Sequence, residues 1–371
     1  MANNQTFNVT LNATAATNGS STVMFELTYF YVVGCLTVVI NGLVLLIAFR
    51  FVNFRAKPIQ VFVVSMTVAD MLYGLVFQLT HSHLQKRWPP WVCGAFYMTN
   101  WACQIGSVMF LLLLNIDKFI FIAFPLHYNM WVTDRVVYVS CATCWLAIVA
   151  VCAFTWFGPF CVYAEAKADA LVCLIEFRPP GYWAALTIAV YVTPLMLSLV
   201  ISGYIFIVAQ TSATRWQGAS QRHNANAHRQ DVFRRILFVF SSTMWTALTY
   251  LPYRIAYLSY TFCRFEYHTA EEQFSHCVTP VLKDTIDVFM YVMMLSPIGN
   301  PIVTVVTQRT YRNSVAKWLR LSGGTERERT ITSGSQSVRQ GTSARRNTQP
   351  GSEAAERKAT TTTHKYAFDV M

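Results

Sequence analysis

The apolar positions of the chain gather into seven long runs, at roughly 26–49, 58–80, 91–124, 136–158, 181–209, 233–261 and 279–307. Each reaches the ~20 residues that a helix rising 1.5 Å per residue needs to cross about 30 Å of hydrocarbon. The third, sixth and seventh runs are long enough to tilt or to project into water. The segments between them are short. The third connection on the side of the C-terminus, 211–231, is polar and rich in Ser, Gln, Asn and Arg. This pattern predicts an all-α membrane protein, a seven-transmembrane helix bundle over 26–308 preceded by a polar leader, 1–25. Beyond it Tyr311, Val315, Trp318 and Leu319 recur at helical spacing, with Arg312, Lys317 and Arg320 between them. They predict a short basic amphipathic helix over 309–321 on the inner leaflet, the alternative being a plain polar start to the tail. From 322 to 371 no apolar face exists, and a disordered cytoplasmic tail is expected.

Composition narrows the class further. Of 371 residues, 54% are hydrophobic and 13% charged, against about 25% charged in a soluble domain. That excludes a wholly disordered chain and argues against an ordinary soluble enzyme. A net charge of +11 would suggest nucleic acid if it sat on one soluble face. Seven spans put the two ends on opposite sides, and the positive excess then falls on one side. Arg50, Arg55, Lys57, Arg215, Arg222, Arg229, Arg234, Arg235, Arg309, Arg312, Lys317 and Arg320 share the side of the C-terminus. The other side is net acidic, with Glu26, Glu266, Glu271, Glu272, Asp284 and Asp287 among its residues. The basic side is cytoplasmic by the positive-inside rule, and no nucleic-acid partner is needed. The leader holds four glycosylation acceptors, Asn4, Asn8, Asn12 and Asn18, each followed by x-Ser/Thr. An extracellular N-terminus in a multi-pass plasma-membrane protein is expected, the first span serving as an uncleaved signal anchor.

The third run closes on Asp117-Lys118-Phe119-Ile120-Phe121-Ile122-Ala123-Phe124-Pro125-Leu126-His127-Tyr128. This resembles the Asp-Arg-Tyr-x-x-Ile-x-x-Pro-Leu-x-Tyr element of rhodopsin-like (class A) G-protein-coupled receptors. Other landmarks of that family fall in order: Asn41 and Val44, Asp70, Cys93, Trp145, Pro194, Pro252 and Asn300-Pro301. The ordered set covers roughly residues 25–320, and the chain resembles a divergent member. The resemblance implies a receptor that passes the binding of an extracellular ligand to heterotrimeric G proteins, and no enzyme activity. It gives Asp117, Lys118, Phe119, Pro125 and Leu126 to G-protein coupling. It implies a disulfide Cys93–Cys173. A second, Cys263–Cys277, is plausible because both cysteines fall in the third outer loop. The span cysteines Cys35, Cys103, Cys141, Cys144 and Cys152 read as packing residues.

Asp70 is an ionisable group near mid-membrane, where it needs a partner or water. Asn41, Ser107, Ser296 and Asn300 match family positions that surround this acid and bind sodium. Carboxylate, hydroxyl and amide oxygens make a hard-cation set; the alternative is a hydrogen-bonded cluster without an ion. Tyr250, Pro252 and Pro301 take the switch positions, each proline removing a donor from its helix. Ligand-lining candidates are Asn100, Trp101, Gln104, Tyr253, Arg254, Tyr257, Met290 and Met294. Asn100 occupies the place where amine receptors carry Asp, which disfavours a classical monoamine. Arg254 suits a ligand carboxylate; the alternative is an internal pair with an acid such as Asp287. The acidic outer mouth would steer a basic peptide, the alternative being a solvated loop surface, and a peptide or other neuromodulator is the leading ligand class.

Departures from the family pattern keep a second reading open. Lys118 stands where Arg is usual, and a flexible ammonium is no substitute for a planar fork. Tyr250, Thr246, Thr304 and Ser202 replace the usual Trp, Phe, Tyr and Tyr, and Val232 replaces an acid with Asp231 beside it. A receptor-like protein with weak or no G-protein coupling, acting as scaffold or heteromer partner, is the alternative. A transporter would need charges along a pore, and only Asp70 and Arg254 are clearly ionisable within the membrane. The tail offers Ser322, Thr325, Thr330, Thr332, Ser333, Ser335 and Ser337 to receptor kinases and arrestin, the alternative being a tail that is simply rich in Ser and Thr. Its end, Asp369-Val370-Met371, has the form of a PDZ ligand.

Overall fold

In the computed structural model, residues 19–55, 57–80, 89–158, 161–163, 175–177, 180–217, 223–266, 280–308 and 311–316 are described. The glycosylation acceptors Asn4, Asn8, Asn12 and Asn18, the cysteines Cys173 and Cys277, and the tail phosphorylation and PDZ residues lie outside them. So do 309–310 and 317–321 of the expected amphipathic helix. The chain divides into two compact units at Val315 and Ala316, and the helices of the expected bundle all fall in the first.

Helices make up nearly all of the described residues of this unit. They are α1 (Gly19–Phe51), α2 (Gln60–Tyr73), α3 (Pro90–Ala123), α4 (Pro125–Trp131), α5 (Asp134–Phe157), α6 (Pro180–Thr187), α7 (Thr193–Gln217), α8 (His223–Glu266), α9 (Pro280–Met294) and α10 (Ser296–Thr307). Two three-residue strands, β1 (Cys161–Tyr163) and β2 (Ile175–Phe177), pair antiparallel between α5 and α6. Local chemistry sets several boundaries. Pro90 opens α3, where a missing N–H is harmless. The Thr133 side chain accepts from Val136 N and caps α5.

Among the described residues, six stretches are long and apolar enough to cross a bilayer. The expected sixth span, α8, falls short on apolarity. Its inward face carries Ser242, Thr243, Thr246, Thr249, Tyr250 and Arg254, all buried. The outward faces of α1, α5 and α7 show the reverse. Leu36, Leu46 and Phe49, then Leu146 and Phe154, then Met196, Val200 and Ile207 are exposed. A belt of this extent has no place in water and marks the lipid face. α3 lies centrally, against α2, α5, α7 and α8.

Three spans are irregular in ways the hydropathy pattern conceals. α2 runs on into a π turn, Gly74–Gln78, and α6 joins α7 through another, Ile188–Val192. Gly74 sits where α1 approaches closely; a Cβ there would meet Thr37 Cγ2 at 2.7 Å. The seventh span breaks at Leu295. Leu295 N donates to Val292 O at 3.1 Å and Ile298 N to Leu295 O at 3.1 Å, each one residue short of the α-helical step. Pro297 and Pro301 have no N–H to give. The carbonyls of Tyr291, Met294 and Pro297 thereby lose their helical donors, a severe penalty in hydrocarbon. Neighbouring helices supply replacements. Tyr29 Oη donates to Tyr291 O (2.6 Å), Gln78 Nε2 to Met294 O (2.9 Å) and Asn41 Nδ2 to Pro297 O (2.9 Å).

Candidate functional site

Two buried charges organise the interior. Asp70, on α2, accepts hydrogen bonds from residues of other spans. Asn300 Nδ2 donates to its Oδ2 at 3.2 Å, and the Ser107 hydroxyl also bonds its carboxylate. The Asn300 carbonyl oxygen is turned the other way, accepting from Ser242 Oγ at 2.9 Å and Thr246 Oγ1 at 3.4 Å. Trp245 Nε1 donates to Ser296 O at 3.0 Å, with its ring against Gly299. A Cβ at 299 would meet Trp245 Nε1 at 1.9 Å, so only glycine admits this contact. From α3, Asn115 Nδ2 donates to Thr243 Oγ1 at 3.0 Å. Of the five residues expected around a cation, Asp70, Ser107 and Asn300 are joined directly, with α8 hydroxyls on Asn300, while Asn41 reaches α10 at Pro297 O and Ser296 offers its backbone carbonyl to Trp245. Asn41 Oδ1 is buried without a hydrogen-bond partner. It remains, with Asp70 and Ser107, as an oxygen donor fit for a hard cation. The Asn300 oxygen is committed to α8.

Arg254, on α8, is 4% exposed, and its surroundings differ. Its Nη2 donates to Gln104 Oε1, and Gln104 Nε2 donates to Asn100 Oδ1 at 2.9 Å. Its guanidinium carbon stands 3.8 Å from the ring centroid of Tyr191, 5.4 Å from Tyr253 and 5.8 Å from Trp101. Nε is buried with no hydrogen-bond partner. Among the described residues no carboxylate lies within ion-pair distance of Arg254. The internal pair with Asp287 is therefore not made. Asp287 stands on α9, within electrostatic reach of Lys283, Glu26 and Asp284, while Arg254 is turned toward α3 and α7. A buried charge without a counter-charge loses several kcal/mol of hydration, of which cation–π contact returns about 2.

The lining residues separate into two groups. Trp101, Tyr253 and Tyr257 belong to one apolar cluster with Trp156, Trp183, Tyr191 and Tyr250. Met290 and Met294 belong to another, with Phe30, Tyr73, Phe77 and Phe96. Tyr191 and Trp183 were not anticipated. Tyr191 sits within the π turn that precedes Pro194, which places its ring on Arg254. A proline in a span was the one available sign of an altered ladder, since π turns often mark functional places.

At the other end of α3, Lys118 is ion-paired to its neighbour Asp117, whose Oδ1 also accepts from Tyr128 Oη at 2.8 Å. Side chains from 231 to 235 fall outside the described set, so the Val232 and Asp231 expectation does too. Phe119 packs on Tyr204 and Phe124. Pro125 starts α4, on which Leu126 is 79% and Met130 71% exposed. Thr304 Oγ1 bonds its own helix at Asn300 O, 2.9 Å, while Ser202 Oγ is buried without a partner. No hydrogen bond joins these two short side chains. Pro252 lies inside α8 and Pro301 inside α10. Cys93 and Cys263 are disulfide-bonded; their expected partners lie outside the described residues. Cys35, Cys103, Cys141, Cys144 and Cys152 are free.

The family model described as the seven-transmembrane receptor (rhodopsin family) matches residues 40–303. The chain is 33% identical over 288 residues to G-protein coupled receptor aex-2 of Caenorhabditis elegans, across 77% of this chain and 81% of that protein. It is 24% identical over 225 residues to somatostatin receptor type 5 of Rattus norvegicus, covering 58% of this chain and 60% of that one. It is 28% identical over 155 residues to the alpha-1A adrenergic receptor of Oryzias latipes, covering 40% and 32%. The chain belongs to the rhodopsin family of seven-transmembrane receptors. It is a multi-pass membrane protein of a receptor family rather than an enzyme, and extracellular ligands and G proteins are the general partners of such receptors.

Proposed function

We propose that this receptor stands in the plasma membrane with its N-terminus outside and couples a peptide or other neuromodulator to heterotrimeric G proteins. A classical monoamine is disfavoured. The observation that carries this reading is the sign of the charge between the outer parts of α3, α7 and α8. It is the buried cation Arg254, linked through Gln104 to the neutral amide of Asn100. A protonated amine would find no counter-ion there and would be repelled. Asn100, Trp101, Gln104, Tyr253, Arg254 and Tyr257 contact the ligand in this reading, with Met290 and Met294 flanking it. Tyr250 and the proline-bearing helices relay the change inward. Leu126 and its exposed neighbours on α4 dock on the G protein beside Asp117, Lys118 and Phe119. A sodium ion at Asp70 modulates the equilibrium, drawing on the unpartnered Asn41 oxygen. The Cys93–Cys173 bond ties the outer loop to α3, and the tail recruits receptor kinases and arrestin.

Lys118 favours a second reading, a receptor-like scaffold or heteromer partner that couples weakly. The Lys118 side chain is 17% exposed, and its ammonium is already engaged by Asp117. G-protein activation in cells separates the two. Wild type and Lys118→Arg are challenged with a peptide library and, separately, with monoamines. Activation of wild type by peptides supports the first reading; activation only after Lys118→Arg supports the second. Activation by monoamines with full efficacy contradicts the ligand class.

A further inference from the structure

We propose that Arg254, Gln104 and Asn100 form an anion subsite, and that the group it takes is a single carboxylate carried on an aromatic or apolar body. This rests on the reading that ligand enters between the outer parts of α3, α7 and α8, and it names the group that is recognised there.

The faces and the edge of the guanidinium have different surroundings. Tyr191 lies 3.8 Å away as a cation–π partner, with Tyr253 and Trp101 further out. Such contacts use the π face, and the Tyr191 hydroxyl also hydrogen-bonds the guanidinium. Gln104 takes one of the in-plane donors, from Nη2. Nε–H has no acceptor although it is buried. An arginine in this state is completed by an acceptor approaching in the guanidinium plane, and a carboxylate has the matching geometry.

The relay sets both charge and polarity. Gln104 gives its carbonyl to Arg254 and its amide N–H to Asn100 Oδ1, so each amide has one fixed direction. Both amides are neutral, and the subsite keeps a charge of one. A monoanion balances it, whereas a phosphate dianion would leave a second charge buried without a partner. The walls choose the body of the ligand. Trp101, Tyr191, Tyr253 and Tyr257 belong to or pack on one apolar cluster, and such walls favour an aryl or aliphatic group beside the carboxylate. Carboxylates of this kind occur at peptide C-termini and in small organic acids, and the test separates these sources.

The probe is sodium benzoate, compared with benzamide and benzylamine at matched ionic strength, on purified full-length receptor followed by thermal unfolding. Benzoate raises the midpoint with concentration, and the two isosteres do not. Arg254→Gln abolishes the benzoate response, and Arg254→Lys weakens its affinity by ~10-fold or more, because an ammonium lacks the planar edge. N-acetylphenylalanine against its C-terminal amide adds the peptide-like source. A response to both acids assigns the subsite to carboxylates including peptide termini; a response to benzoate alone assigns it to small acids. Equal shifts from benzoate and benzamide, a benzoate response surviving in Arg254→Gln, or no benzoate response in wild type would overturn the proposal. If Arg254→Gln does not accumulate as folded protein, unchanged benzoate affinity in Arg254→Lys overturns it. No G protein takes part, so a receptor silent in cells leaves this inference standing. A signalling receptor that ignores benzoate removes this inference alone.

Discussion

Asp70 and Arg254 carry opposite charges at similar burial, 2% and 4% exposed, and their surroundings differ in kind. Around Asp70 the donors come from α3 and α10, and the α10 donor is itself held by hydroxyls of α8. Around Arg254 there is one neutral amide and a set of aromatic rings, with Nε left over. The first charge is a node that joins helices. The second is a charge with no carboxylate at ion-pair distance among the described residues. Protein interiors do not store unpaired charge without a reason. The contrast therefore separates a part of the bundle that holds the fold from a part that, in the reading proposed above, a ligand completes.

Several substitutions would break or sharpen this contrast. The largest effect is expected for Asn300→Ala, which removes the donor to Asp70 and the acceptor of Ser242 and Thr246 together. Hydrogen bonds to charged groups contribute about 1.5–3 kcal/mol, so the stability of the purified receptor in thermal unfolding should fall by about 2–3 kcal/mol. An unchanged midpoint would show that Asp70 is not held by this network. Gly299→Ala comes next. The new methyl forces Trp245 off Ser296 O, with a loss of about 1–3 kcal/mol and reduced surface expression. A tolerated alanine would mean that Trp245 moves freely. Asn41→Ala uncaps the Pro297 carbonyl and should remove about 0.6–1.7 kcal/mol, the range of interhelical hydrogen bonds in membranes. The smallest effect belongs to Thr304→Ala. Its hydroxyl bonds its own helix at Asn300 O, so stability should move by less than about 0.5 kcal/mol. A larger loss would reveal a tie to another span.

Much of this was legible from the chain. Seven apolar runs located the spans, and the order of Asp70, Asp117-Lys118-Phe119, Pro252 and Asn300-Pro301 located the family. The broken seventh span was not legible. Pro301 marked a kink, yet the ladder breaks at Leu295, and its carbonyls are capped by residues as far as 262 positions away in sequence. Hydropathy has no access to pairings of that separation. Among the α8 hydroxyls, Thr246 stood out only as a replacement for Phe and Ser242 did not stand out, for a related reason. Serine and threonine in a span read as neutral filler, and only the rotation of α8 against α10 gives Ser242 and Thr246 their partner. The fate of Arg254 was undecided between Asp287 and a ligand because sequence gives neither depth nor rotation to two separate helices. Tyr191 was missed because the π turn shifts its direction by an extra residue.

The measurement that tests the contrast most directly is the thermal unfolding midpoint of Arg254→Gln beside Asn300→Ala, both as purified receptor without added ligand. Replacing an uncompensated buried charge by a neutral amide removes a desolvation penalty. Arg254→Gln should melt at the wild-type temperature or above it, while Asn300→Ala melts well below. A comparable drop in both would show that Arg254 is a structural member of the bundle, and would contradict the division of the interior into a holding part and a waiting part.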